Sequence, residues 1–397
     1  MMSESRLREL MVDLVADVES PPMAQRAWRT GRRSRRQRLV AGLAAAAVLV
    51  AGAGTAVAGG GLADRQITGP SMPPAPAAGE PRVRIGPERA AVAGLPSLST
   101  PFAALSGVPA SAAALSGSPV ARIIAAAQRL DGPVLVLGPG GVWRATDSVA
   151  AGEDGSPGLW LISTSISPDS RRLALGHRDG LLLVDATTGK QRRLPVPGAL
   201  GRIDHLVWLP GGDRVAVSGD GGAGVVSTTD GAFRSSGERV HERAVSGPGD
   251  PVVHLAASEL VVENAGTTVR RGYGTGSRIE LGQWYGAGWV HGASAAATAF
   301  LSGRDHHGEQ AVLVIDAGTA RVTHLLTLTA GRSPATRGNG CCATIGWLDA
   351  QTVLLRDGGQ LLAWRFGSGM VFRVAKLPGS TRGADAGYDT AIALAQP

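Results

Sequence analysis

Apolar and polar positions divide the chain into three regimes. Between Ser5 and Glu19 the residues Leu7, Leu10, Met11, Leu14, Val15 and Val18 recur at three- and four-residue spacing, which lines one face of a helix. Pro21 and Pro22 stop that helix. A helix this short is marginal alone in water, so docking on a cytosolic partner, a second copy or lipid is expected. Residues 39–58 are uncharged throughout, about the length that crosses a hydrocarbon core. From about residue 133 short β-type runs follow one another, punctuated by Gly, Asp and Pro, with no sustained helical period.

The stretch between the last two regimes reads as a spacer. From Asp64 to Pro119 there are ten prolines among many Ala, Gly and Ser residues, and residues 90–121 carry no charge. This predicts a disordered linker over 59–119 that holds a folded body, residues 120–397, away from the membrane surface.

Charge sharpens the picture at the N-terminus. The net +7 of the 397 residues is uneven: residues 1–38 hold nine arginines against five acids, and the rest holds 30 basic against 27 acidic groups. The body is near neutral, so a nucleic-acid partner is not expected. Arg26, Arg29, Arg32, Arg33, Arg35, Arg36 and Arg38 form an acid-free run around Trp28, immediately before the apolar span. Arginines flanking such a span stay in the cytoplasm and attract anionic lipid, and Trp28 suits the interface. The expectation is a single-pass cell-membrane protein, N-terminus inside, with Trp28, Arg32, Arg33, Arg35, Arg36 and Arg38 at the interface and lipid held through residues 39–58. The alternative is secretion after cleavage, because Ser34-Arg35-Arg36 before the apolar stretch and Ala56-Val57-Ala58 at its end resemble a twin-arginine signal and its cleavage site.

The body repeats. Ile166 to Leu175 aligns on Trp208 to Val217 with Pro168 over Pro210, each a strand, a tight turn and a strand. Trp208-Leu209 recurs as Trp289-Val290 and Trp347-Leu348, and Val184-Asp185-Ala186-Thr187-Thr188-Gly189 matches Ile315-Asp316-Ala317-Gly318-Thr319. The step of 81 residues from Trp208 to Trp289 is about two, and that of 131 from Asp185 to Asp316 about three, units of roughly 40 to 45 residues, the length of four short strands in a β-propeller blade. An all-β propeller is therefore expected, six blades preferred and seven if residues 82–118 contribute. The first blade lacks a strand, and Thr390 to Ala395 is a leftover strand-like run that would complete it as a clasp. Ser167-Pro168-Asp169-Ser170-Arg171-Arg172-Leu173-Ala174, with His177-Arg178-Asp179-Gly180 and Leu183-Val184-Asp185, resembles a WD-repeat-related blade of the TolB type. That resemblance implies a propeller with a binding role and assigns no residue a function. The whole arrangement is similar to actinobacterial membrane proteins encoded beside alternative sigma factors, although the tail lacks the His-and-Cys zinc motif of an anti-sigma domain.

The usual chemistry-bearing motifs break off. His177-Arg178-Asp179 begins like a kinase catalytic loop, but Gly180 and Leu181 follow without its Asn, so it reads as a β-turn. His241-Glu242 begins like a zinc-protease helix, yet Val245 stands where the second ligand belongs. The glycine cluster at 219–224 joins no strand to a helix, which leaves a dinucleotide site unsupported. No Gly-x-Ser-x-Gly elbow occurs. Cys341 and Cys342 are adjacent and read as a small buried pair or a vicinal disulfide. Asp305-His306-His307 offers zinc-type ligands without a third site at any usable spacing.

These readings predict no catalytic residue, metal or cofactor. A possible ligand face comprises Trp284, Tyr285, Trp289, His306 and His307. The expected role is an extracytoplasmic module that binds or senses a protein, cell-wall or small ligand. The alternatives are a transmembrane regulator linked to a sigma factor and a propeller enzyme such as a lactonase or lyase.

Overall fold

A computed structural model describes residues 79–87, 89–129, 132–147, 161–177, 180–237, 240–264, 267–275, 279–302, 309–328, 342–378 and 390–397. The basic tail, the apolar span at 39–58, His306, His307 and Cys341 lie outside them. Among the described residues no helix is long and apolar enough to cross a membrane.

Almost every strand is antiparallel to its sequence neighbour, as short runs joined by tight turns require. Blade I contains Ala125–Arg129, Val134–Leu137 and Trp143–Ala145; blade II contains Arg172–His177, Gly180–Asp185 and Gln191–Pro195. Blade III has Ile203–Trp208, Arg214–Gly219, Gly222–Ser227 and Phe233–Ser236. Blade IV has Glu280–His291, Ser294–Ser302, Gln310–Asp316 and Arg321–Leu328, and blade V has Cys342–Asp349, Thr352–Asp357, Gln360–Arg365 and Met370–Lys376. A smaller sheet of Val252–Leu255, Glu259–Asn264 and Thr267–Gly272 precedes blade IV.

The propeller has five blades, so the expectation of six or seven is corrected. Val207, Leu209 and Ala216 of blade III share one apolar core with Trp289, Val312 and Leu326 of blade IV and Trp347, Val353 and Trp364 of blade V. Val240 and Val245, from the chain between blades III and IV, enter the same core. The small sheet instead packs Val253, Leu255 and Leu260 on the opposite face of blade IV, against Ala297, Leu313 and Leu325. It is the segment whose turn spacing imitates a sixth blade.

Residues 82–118 make no seventh blade, and from residue 79 onward the expected linker is seated on the propeller. Arg82–Ile85 runs parallel along Arg321–Leu328 of blade IV. Leu98 N–H donates to Arg373 O, and Arg373 N–H to Pro96 O, on blade V. The 3-10 helix Pro101–Gly107, capped by Thr100, buries Phe102 and Leu105 in the core between blades V and I. Ala113–Ala114 pairs parallel with Trp143–Ala145 of blade I, and Val120 N–H reaches Ala186 O beside blade II. The segment is a belt over four blades that covers sheet edges otherwise open to pairing. Proline and small residues disguise it as a spacer, since only two large side chains anchor its middle. Leu105→Ala is expected to cost about 2–5 kcal/mol in denaturant unfolding, whereas Ala103→Ser on the exposed side of the same turn should stay within about 0.5 kcal/mol.

The clasp forms as the leftover run requires. Thr390–Leu394 pairs antiparallel with Ala125–Arg129, so blade I takes one strand from the C-terminal end of the chain. Ile392 and Leu394 enter the core between blades I and V, and Ala393 faces the core shared with blade II.

Repeated turns carry repeated strain. Ser170 and Gly212, aligned copies of one turn position, have φ of 57° and 68°. In the first copy Ser167 Oγ donates to Asp169 Oδ1 at 2.6 Å and accepts from Arg172 N–H at 2.9 Å, which holds the turn without glycine. Asp185 Oδ1 accepts from Thr187 and Thr188, and Asp316 Oδ1 from Thr319. The residues that close those turns, Gly189 and Ala320, have φ of 71° and 57°. His177 pairs in register with Gly180, so the strands that flank Arg178 and Asp179 run antiparallel.

The repeat-position tryptophans stitch blades together. Trp208 Nε1–H donates to Ser165 O ahead of blade II at 2.9 Å. Trp289 Nε1–H donates to Thr344 O, and Trp347 Nε1–H returns a bond to Trp289 O at 3.1 Å. A buried indole N–H needs such a partner, and a neighbouring blade's backbone supplies it.

Candidate binding recess at the end of blade III

Blade III ends in a recess of about 440 Å³ lined by Asp204, His205, Ser218, Asp220, Ser236, Val240 and His241, together with glycines and Ala223. Strand register explains why these side chains meet. His205 lies opposite Ser218, Ser218 opposite Ala223, and Ala223 opposite Ser236, so one row crosses all four strands on one face. That face also carries Val207 and Ala216, two residues further into the sheet. Its end is roofed by the short 3-10 turn Val240–Glu242, which brings His241 over the row.

Asp204 joins the row through a defect. Ser218 pairs with His205 but Gly219 pairs with Ile203, so Asp204 is the extra residue of a β-bulge. Regular alternation would turn its carboxylate to the other face of the blade; the bulge re-aims it into the recess. Glycine permits the neighbouring approach. A Cβ on Gly219 would lie 2.2 Å from Arg202 O, and one on Gly221 only 1.5 Å from Ala199 O, so the incoming chain fits only against bare backbone.

The His205 and His241 ring centroids are 6.0 Å apart at 47°. Burial, followed by the adjacent His241, lowers the His205 pKa from its ordinary value, while Asp204 opposes the shift. Glu242 Oε1 lies 3.9 Å from His241 Nε2. Ser236 Oγ is buried with no hydrogen-bond partner among the described residues. Among the described residues no three His, Cys, Asp or Glu side chains converge as a metal site. What the recess offers is hydrogen bonding and negative charge around a small polar guest.

Of the ligand face read from the sequence, Trp284, Tyr285 and Trp289 are described, and their rings meet different neighbours. Trp289 is 1% exposed and belongs to the core. Trp284 donates its indole N–H to Ala256 O at 2.9 Å and stacks edge-on with Tyr273 at 5.3 Å, beside the small sheet. Tyr285 packs against Phe300 at 6.3 Å. Register shifts on both sides of Trp284 and Tyr285 send these rings to different neighbours.

Two discarded signals, the glycine cluster at 219–224 and His241-Glu242, instead meet at one recess. The signal for Asp204 and His205 was their departure from the repeat. In the Trp208 alignment, Gly286 and Thr344 occupy the place of His205.

Fold and recess together define a β-propeller with a polar pocket at one blade end. No family model and no curated protein matches the chain. Among solved structures it is similar to an oligogalacturonate lyase in complex with manganese, at 13% identity and TM-score 0.41 over 64% of this chain and 73% of that one. A chain of a mitotic checkpoint complex is similar at 13% identity and TM-score 0.35, over 53% and 62% respectively. At these values neither likeness bears on activity or ligand.

Proposed function

We propose that the protein is a membrane-anchored extracytoplasmic binding module whose blade III recess receives the ligand. The observation that carries this reading is the row of small and polar side chains across four strands, with Asp204 turned into the recess by a bulge. Concave sites with a few convergent polar groups are the usual form of a small-ligand site. The anchor is supported by the uncharged residues 39–58 and the acid-free arginine run before them.

A Cβ on Gly237 meets nothing within 4 Å, so Gly237→Phe should fill the recess without disturbing the blade. In a thermal-shift panel of amino acids, sugars, polyols and amines, at least one compound is expected to raise the melting temperature of the full chain and none that of Gly237→Phe. Compounds that shift both proteins equally would refute the recess as the binding site. For topology, protease added to intact cells should degrade the propeller, and protection from outside would overturn the orientation.

A further inference from the structure

We propose that the blade III recess is built for a small ligand bearing an ammonium group, held at neutral pH and released in acid. The inference rests on the binding reading given above and adds the chemical class and its control.

The first argument is the charge inventory. The described lining supplies two carboxylates, Asp204 and Asp220, two imidazoles and two serine hydroxyls, and no Lys or Arg. Arg202 lies 3.7 Å from Asp204, but the pair is largely in solvent, at 71% and 45% exposure, so it screens that carboxylate only weakly. An entering carboxylate or phosphate would meet like charge at close range. A neutral polyol would satisfy the hydroxyls but leave the carboxylates uncompensated. An ammonium group with three donors answers the carboxylates and leaves the guest's remaining polar groups to Ser218 and the imidazoles.

The second argument is the pair of imidazoles in the same recess. His205 and His241 line it together with Asp204 and Asp220, the two rings are 6.0 Å apart, and His241 has Glu242 beside it. At neutral pH the recess keeps its negative charge, consistent with the downward shift at His205. Protonation of His205 adds a positive charge 6.0 Å from the His241 ring, in the recess that holds the two carboxylates. The sign is fixed: a cation that binds better beside neutral His205 loses affinity as pH falls through the titration of that ring.

The test uses three probes with one skeleton, glucamine, sorbitol and gluconate, titrated calorimetrically into the full-length protein. At pH 7.5 glucamine is expected to bind about tenfold more tightly than sorbitol, the order of one charge contact in a partly solvated site, and gluconate not at all. Between pH 7.5 and pH 5 glucamine affinity should fall about tenfold. His205→Gln with His241→Gln should flatten that fall, and Asp220→Asn should bring glucamine down to sorbitol, with unchanged melting temperatures showing that both variants fold. Sorbitol or gluconate binding as tightly as glucamine, in a manner lost in Gly237→Phe, would overturn the ammonium assignment and leave the recess as a binding site. Glucamine binding that survives Gly237→Phe would overturn both. Absence of glucamine binding overturns the ammonium proposal alone if other compounds still distinguish the Gly237→Phe protein. A flat pH profile in the native chain would overturn acid release.

Discussion

Trp347→Ala is expected to lower the unfolding free energy by about 3–5 kcal/mol, the usual cost of emptying a buried aromatic site. Trp347 is fully buried, and its indole donates to Trp289 O while Trp289 donates to Thr344 O on the strand that carries Trp347. Its ring also meets Phe366 edge-on at 6.2 Å and lies 6.0 Å from His291. The substitution therefore opens a cavity in the core that blades III, IV and V share, and it leaves a backbone carbonyl short of its donor. Trp347→Phe retains most of the volume and should cost less than half as much. Since a domain holds only about 5–15 kcal/mol in all, chemical denaturation of the two variants should separate them clearly. Equal midpoints for both, each below that of the native protein, would mean that the lost indole bond rather than the emptied volume sets the cost.

Removal of residues 390–397 should be more damaging still. It withdraws Ile392 and Leu394, both nearly fully buried, worth about 1.5–3 kcal/mol each. The Gln396 carboxamide oxygen that accepts from Trp347 N–H goes with them. Ala125–Arg129 would then be an open edge of apolar character, the kind that pairs with other chains. The expected product is aggregated or molten, seen as loss of the native peak in size exclusion and of a cooperative thermal transition. A synthetic peptide of residues 388–397 should restore some of that peak. A truncated chain that keeps the native elution and midpoint would show that the ring closes without the clasp.

How far the sequence discloses this molecule depends on whether a position obeys a period. The strand–turn–strand copies at Pro168 and Pro210, the aspartate turns at Asp185 and Asp316 and the tryptophans of three blades are periodic, and each forms the element its repeat predicts. The short first blade and the leftover strand at 390–395 can be matched by counting alone. Blade number is less legible, because the small sheet at 252–272 has the spacing of a blade but packs on one face of its neighbour. The belt is less legible again: its β pairs are two to four residues long, parallel and rich in small side chains, so no alternation marks them. The recess is hardest to foresee. It depends on a one-residue bulge at Asp204 and on the 3-10 turn carrying His241, neither of which changes residue composition. Aromatic residues on the blade IV strand attract attention first, and they are spent on packing.

The belt also sets a schedule for folding. Ser106 Oγ accepts from Lys376 N–H across 270 residues of chain, and Phe102 and Leu105 rest against blade V, which follows them far along the chain. At about 5–20 residues per second, these side chains leave the ribosome about 15–50 s before their partners exist. Blade I waits as well, for the strand Thr390–Leu394. Blades II and III can assemble from local hairpins as they emerge, whereas the ring can be closed only once that strand has left the ribosome. Until then the nascent chain carries its apolar belt uncovered.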